Sequence, residues 1–219
     1  ICAIPHPSHR EAALADAFPQ RSACGRIEKG RAFGGSREAM ERLLGLFALR
    51  APKGEGARVG DWFLHPKGFA FLIPEGFEPL VGYKGTAVLL VDNSEGEGPF
   101  RTNISVSVSG EADERDKIFS MSPKDVENAY EGSFEHFELL AFEPETFYGS
   151  EGMRIAFLAG SSPRLLFRQH LFVKNESAFV ITLTTEHAPR ALKEADRQFQ
   201  WVCDSLLFVS GGELRRQGE

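Results

Sequence analysis

The chain has 219 residues, which suits one domain with an extension or two small domains. Hydrophobic residues make up 42% of it, enough to build a buried core and too many for an intrinsically disordered chain. The formal net charge of -6 argues against a general nucleic-acid-binding protein, because phosphate backbones attract positive charge. No apolar run approaches the roughly 20 residues of a membrane-spanning helix, so no transmembrane span is expected.

The charge is distributed unevenly along the chain. Residues 1–57 carry nine Lys or Arg against six Asp or Glu, whereas residues 58–219 carry sixteen against twenty-five. A linker rich in Pro and Gly occupies residues 51–56. We therefore predict an extension over 1–57, partly flexible and with one or two helices, a folded domain over 58–210 and a flexible tail over 211–219.

Two helices are predicted within the extension. The first begins at Ser8, which has capping-box spacing to Glu11. The second spans residues 36–50, where Met40, Leu43, Leu44 and Phe47 form one apolar stripe. This stripe either docks on the domain or on a second copy of the chain, which would make a homo-oligomer, or it recruits a partner. Docking is favoured, because amphipathic helices usually bury their stripe.

Beyond residue 60 the pattern predicts strands, a helix, further strands and a closing helix. The first strands cover residues 69–73, 86–91 and 103–109, and the last of these alternates cleanly between apolar and polar residues. A helix then begins at Ser122, a good N-cap that precedes Pro123 and Asp125.

Four more strands and a helix complete the predicted domain. The strands cover residues 137–143, 153–158, 165–173 and 178–185, and the last two are joined by a four-residue hairpin loop over 174–177. The final helix covers residues 189–207, with Leu192, Ala195, Phe199, Val202 and Leu206 as its stripe. Hairpin-length connections favour antiparallel pairing, so we predict an α+β domain in which helices flank one antiparallel β-sheet.

Several segments in this order resemble PsbP-like and DcrB-like domains of the PsbP–Mog superfamily. They are GFAFLIPEGF at 68–77, RTNISVSVS at 101–109, LLFRQHLFVKNESAFVITLTTE at 165–186 and CDSLLF at 203–208. The resemblance covers about residues 62–208 and contains no catalytic signature. It implies a PsbP-like sandwich and a binding or accessory role, and it favours the bacterial cell envelope or periplasm over the cytoplasm. Nothing here resembles the acidic N-terminal signature of the Ran-binding branch.

The sequence shows no convergent catalytic set, so no enzyme activity, cofactor or metal is predicted. Cys2, His6, His9 and Cys24 match no compact zinc-binding pattern. Cys203 lies on the apolar side of the final helix and is predicted to be an inert, partly buried thiol. No nucleophile elbow or phosphate-binding glycine loop is present.

The candidate binding surface is a polar face of the predicted sheet. If Ile104, Phe157, Leu171 and Ile181 point to one side, strand alternation places a polar set on the other: Asn103, Ser105, Ser107, Arg154, Arg168, His170, Thr182 and Thr184. The simplest explanation is a solvated or helix-covered face. The functional interpretation is a cationic platform for a peptide or an acidic partner, with Arg168 as the strongest carboxylate or phosphate contact.

Three functions follow in order of preference. The first is a non-enzymatic domain that holds a protein or peptide partner. The second is a chaperone or adaptor for a hydrophobic segment, which requires an exposed apolar groove. The third is a small-ligand carrier or an enzyme with a site that is not visible in the sequence.

Overall fold

The structure is a computed structural model that describes residues 56–94, 100–110, 116 and 120–208. The two predicted helices of the extension, the four Cys and His residues near the chain start and the predicted tail over 211–219 lie outside these residues. Within them, no helix is long and apolar enough to cross a membrane.

The described residues form eleven strands, two α-helices and one 3-10 turn. The strands are β1 (Ala57–Val59), β2 (Trp62–His65), β3 (Phe69–Leu72), β4 (Phe77–Val81), β5 (Val88–Asp92), β6 (Asn103–Ser109), β7 (Glu138–Phe147), β8 (Ser150–Ala159), β9 (Leu165–Lys174), β10 (Ser177–Glu186) and β11 (Leu207–Phe208). The helices are α1 (Pro123–Glu131) and α2 (Pro189–Ser205), and the 3-10 turn is Tyr83–Gly85.

The strands pair into two sheets. The small sheet has the order β1-β2-β3-β11 and the large sheet the order β4-β5-β6-β10-β9-β8-β7, and all neighbours are antiparallel. The predicted α+β class is confirmed, but the strands form two sheets rather than one. Of the small sheet, β3 was predicted as the strand over 69–73, whereas β1, β2 and β11 were missed because they are two to four residues long and show little alternation.

The hairpin between β9 and β10 is tighter than predicted. Lys174 lies opposite Ser177, so only Asn175 and Glu176 form the loop. Both have positive φ values, 51° and 63°, which is the backbone twist of a two-residue hairpin turn. The sequence pattern did not reveal this because Asn-Glu lacks the glycine usual at such turns.

Each face of the large sheet is covered by a helix. The first face packs against α2 and the small sheet, and its apolar cluster includes Val88, Ile104, Ile181, Leu183 and Phe199. The second face packs against α1, and its cluster includes Val126, Ile155, Phe157 and Leu171. The strands β8, β9 and β10 therefore bury apolar side chains on both of their faces.

Both helices begin as the sequence predicts. The Ser122 hydroxyl accepts a hydrogen bond from the Asp125 amide at 3.3 Å, and the Asp125 carboxylate accepts one from the Ser122 amide at 2.8 Å, completing a capping box. Helix α2 begins with Pro189 at its first position, where a missing N–H costs nothing. It ends at Ser205, two residues before the predicted end, because the chain turns there into β11.

We expect Gly152→Ala to destabilise the domain by about 3 kcal/mol, the upper end for an overpacked core. A Cβ atom at Gly152 would overlap the carbonyl oxygen of Leu171 and lie 2.9 Å from the Phe147 ring. Gly132→Ala is the matched control, because a Cβ there meets nothing within 4 Å. Urea unfolding of both variants measures the difference, and equal stabilities would contradict the packing described here.

Candidate functional site

The eight candidate polar residues do not share one face of the sheet. Ile181 lies opposite His170, and Leu183 lies opposite Arg168, so these two side chains share the first face with the apolar residues of β6 and β10. Arg154 lies opposite His170 and joins them. The single polar face was wrong because Phe157 and Leu171 were assigned to the side of Ile104, whereas they belong to the opposite cluster.

The other five candidates remain together on the second face. We call Asn103, Ser105, Ser107, Thr182 and Thr184 the polar strip. Asn103 lies opposite Thr184 and Ser105 opposite Thr182, on the neighbouring strands β6 and β10. Asn103 and Thr184 are 9% and 8% exposed, whereas the other three are half-buried. The strip is thus a row of neutral hydrogen-bonding groups that are only partly open to solvent.

The polar strip is connected to α1 by hydrogen bonds. Gln169 of β9 donates to the Thr182 hydroxyl at 3.3 Å, and the Tyr130 hydroxyl donates to the Gln169 side-chain oxygen at 3.4 Å. Asn103 donates to the carbonyl oxygen of Arg101 at 3.2 Å. Asn103, at one end of the strip, and Thr182, in its middle, are therefore held in place by neighbouring polar groups.

Ser105 and Ser107, on the β6 side of the strip, keep hydrogen-bonding capacity. Across the part of the chain that the structure describes, no group hydrogen-bonds to the hydroxyls of Ser105 and Ser107. Each hydroxyl can donate one hydrogen bond and accept two. These two side chains can thus bind the polar groups of a ligand without a charge being buried.

The three cationic candidates on the first face are occupied by intramolecular contacts. Arg168 forms an ion pair with Asp196 at 2.7 Å and so connects β9 to α2. The Arg154 guanidinium pairs with Glu143, and its Nε lies 3.1 Å from Glu145. Because nearby carboxylates neutralise both guanidinium groups, these side chains offer little net positive charge to an acidic ligand, and Arg168 as a carboxylate or phosphate contact stays a prediction.

His170 is part of a buried cluster that the sequence did not reveal. Its ring stacks on Phe147 with centroids 4.4 Å apart and meets Phe199 edge-on at 4.8 Å. Its Nδ1 lies 3.8 Å from the Sγ atom of Cys203, and the Tyr148 hydroxyl donates to the Cys203 carbonyl oxygen at 3.0 Å. Cys203 and His170 are 33 residues apart on different elements, and no local motif connects them.

The electrostatics of this cluster oppose nucleophilic chemistry. Burial raises the pKa of the Cys203 thiol to about 12, so the thiol stays protonated near neutral pH. Burial, with a smaller effect from Arg168 and Arg154, lowers the pKa of His170 to about 4. Burial also raises the pKa of the Tyr148 hydroxyl. The pair is therefore a neutral thiol beside a neutral imidazole. This arrangement is consistent with the prediction that Cys203 is an inert thiol.

A metal centre is not evident in the described ranges. No group of three or more His, Cys, Asp or Glu side chains there is placed to hold a metal ion. His65, which is 3% exposed, stacks on Phe69 with ring centroids 4.7 Å apart, and burial lowers its pKa to about 4. It is a neutral core residue of the small sheet.

No protein-family model and no curated protein matches the chain. Solved structures do match. The chain is similar to cyanobacterial PsbP from Synechocystis sp. PCC 6803, at 18% identity and a TM-score of 0.44, over 73% of this chain and 96% of that one. It is also similar to the Ran-binding protein Mog1p of Saccharomyces cerevisiae, at 12% identity and a TM-score of 0.43, over 67% of this chain and 93% of that one.

A third match is LpqN, which is involved in cell envelope biogenesis of Mycobacterium tuberculosis. It is 8% identical, with a TM-score of 0.45, over 73% of this chain and 87% of that one. All three likenesses are below 25% identity and below a TM-score of 0.5, so the function is argued below from the residues of this chain.

The half-buried His170 predicts a loss of stability in acid. Because its folded pKa of about 4 lies below the ordinary value of 6.5, the unfolded chain takes up more protons between these two pH values. The free energy of unfolding should therefore fall as the pH drops from 6.5 to 4. We expect His170→Phe, which keeps an aromatic ring, to remove up to about 3 kcal/mol of this loss.

Urea unfolding of the wild type and of His170→Phe at pH 7, 5.5 and 4 measures this effect. His187→Phe is the control, because His187 is exposed. Parallel pH curves for the wild type and His170→Phe would contradict a neutral, buried imidazole.

The Cys203 thiol should resist alkylation in the folded protein. With Cys2 and Cys24 replaced by Ser, we expect iodoacetamide at pH 8 to modify Cys203 at least tenfold more slowly in the native chain than in urea, because the thiol is 6% exposed and protonated. Mass spectrometry of timed samples gives both rates. Equal rates would indicate an accessible thiolate.

Proposed function

We propose that the chain is a non-enzymatic binding domain that holds a protein or peptide partner through the polar strip of β6 and β10. The single observation that carries this proposal is the pair of half-buried hydroxyls, Ser105 and Ser107, to which no described group hydrogen-bonds. Hydroxyls on one sheet face can bind the amide and carbonyl groups of a peptide or of a partner surface.

The rest of the described surface supports a partner of this neutral kind. The arginines of the sheet form ion pairs within the chain, so they contribute little attraction to an acidic ligand. The thiol of Cys203 and the imidazole of His170, which lie 3.8 Å apart, are both held in their neutral forms. A binding role is compatible with both the ion-paired arginines and the neutral Cys203–His170 pair, because it needs neither a free cation nor a nucleophile.

A chaperone for hydrophobic segments is less well supported by the described residues. Such a chaperone needs one continuous exposed apolar groove. The large exposed apolar residues are Leu80 and Val81 on β4, Leu140 on β7 and Trp201 on α2. Because β4 and β7 are the opposite edges of the large sheet, these side chains are dispersed over the domain.

Affinity capture tests the proposal. The immobilised full chain is exposed to a lysate of the source cells, and bound proteins are quantified by mass spectrometry. We expect the double variant Ser105→Lys/Thr182→Glu to capture at least tenfold less of a protein that the wild type captures. The reason is that the two substitutions place charges in the middle of the neutral strip. The two positions lie directly opposite each other, so the new charges can pair across the strands.

Thr146→Lys/Ser161→Glu is the matched control. It makes the same changes at two exposed hydroxyl residues outside the strip and keeps the net charge. The control should capture the partner as the wild type does, and the unfolding midpoints of all three proteins should agree. The proposal fails when the strip variant captures the same proteins in the same amounts, or when the wild type captures none above the bare resin.

A further inference from the structure

The small sheet has two apolar faces, and only one of them packs on the large sheet. Phe63, Phe69 and Phe71 point inward and belong to the first-face cluster. Leu64 lies opposite Ala70, and Ala70 lies opposite Leu207, so these three residues share the other face. Trp62 and Leu72, a further opposite pair, extend it. We call these five residues the outer face of the small sheet.

The outer face is buried at its centre. Leu64 and Ala70 are 0% exposed and Leu207 is 4% exposed. None of them belongs to either apolar cluster that the described residues form. Burial of a leucine side chain stabilises the fold because apolar groups replace water around it, so this face calls for an apolar cover.

The predicted helix over residues 36–50 has the properties of such a cover. Its stripe of Met40, Leu43, Leu44 and Phe47 needs an apolar partner of comparable size. Its tether is short, because residues 51–55 can span at most about 17 Å when extended. The tether ends at Gly56, which leads directly into β1 on the edge of this same sheet.

The other end of the chain is a poorer candidate. Residues 209–219 follow β11 and therefore also leave from the small sheet. They contain only two large apolar residues, Val209 and Leu214, among four charged ones. A segment of this composition cannot bury the three central residues of the outer face as well as four large apolar side chains can.

We propose that residues 36–50 dock as a helix on the outer face of the small sheet and bury their stripe against Leu64, Ala70 and Leu207. Residues 36–50 are then part of the folded domain rather than an arm that recruits a partner. This intramolecular contact lies on the small sheet and involves none of the residues of the polar strip.

Hydrogen–deuterium exchange of the full chain tests the docking. In Leu43→Gln/Phe47→Gln, which weakens the stripe, we expect amides of residues 62–72 to exchange at least tenfold faster than in the wild type. The control is Glu38→Gln/Arg42→Gln, which introduces the same side chain at two positions on the opposite side of the predicted helix. It should leave these rates unchanged. Amides of residues 150–174 in the large sheet report whether the domain remains folded.

Analytical ultracentrifugation of the same samples shows whether the outer face is covered by residues 36–50 of the same chain or by a second copy. A confined increase at residues 62–72 in a protein whose mass does not change supports intramolecular docking. An unchanged exchange pattern overturns it, and so does an increase accompanied by dissociation of a dimer, because the cover is then a second copy. If the double variant exchanges faster at all amides, it is unfolded, and the single variant Leu43→Gln is measured instead. Faster exchange confined to residues 62–72 in this variant supports the proposal, and unchanged exchange there overturns it.

Discussion

The packing of phenylalanine rings between the large sheet, the small sheet and α2 is the interaction on which the rest of the structure depends. Phe172 and Phe179 stack across β9 and β10 with their ring centroids 5.3 Å apart, and Phe69 meets Phe179 edge-on at 5.4 Å. Offset and edge-on contacts of this kind add to the free energy of apolar burial. They fix the small sheet and α2 on the first face, and this leaves the second face for α1.

Burial on both faces limits where polar groups can lie on the central strands. On the first face, Arg168 and Arg154 are accommodated because carboxylates from α2 and β7 neutralise them. His170 and Cys203 are accommodated because burial keeps both uncharged. On the second face the hydroxyls of β6 and β10 lie beside α1, where hydrogen bonds through Gln169 hold one part of the strip. Neutral groups can remain half-buried there at low cost, and this strip is the surface through which we propose that the domain binds a partner.

The candidate site shows where strand alternation predicts the face of a side chain correctly and where it does not. It placed Asn103, Ser105 and Ser107 on one face of β6 correctly, because that strand alternates between apolar and polar residues. In β9 it failed, because Phe167 and Leu171 face α1 while Phe172 faces the small sheet, and both faces are apolar. A one-residue error in the assignment moves every side chain to the other face. The prediction of a single polar face was the result of that error.

The sequence by itself determined the α+β class, the capping box of α1, the apolar stripe of α2 and the order of the long strands, because these depend on local propensity and short-range periodicity. Only the tertiary structure decided that the strands divide into two sheets, which face each side chain of β9 occupies, and that Cys203 meets His170. These features depend on contacts between residues far apart in the chain, such as Leu207 with Ala70, and no local pattern encodes them.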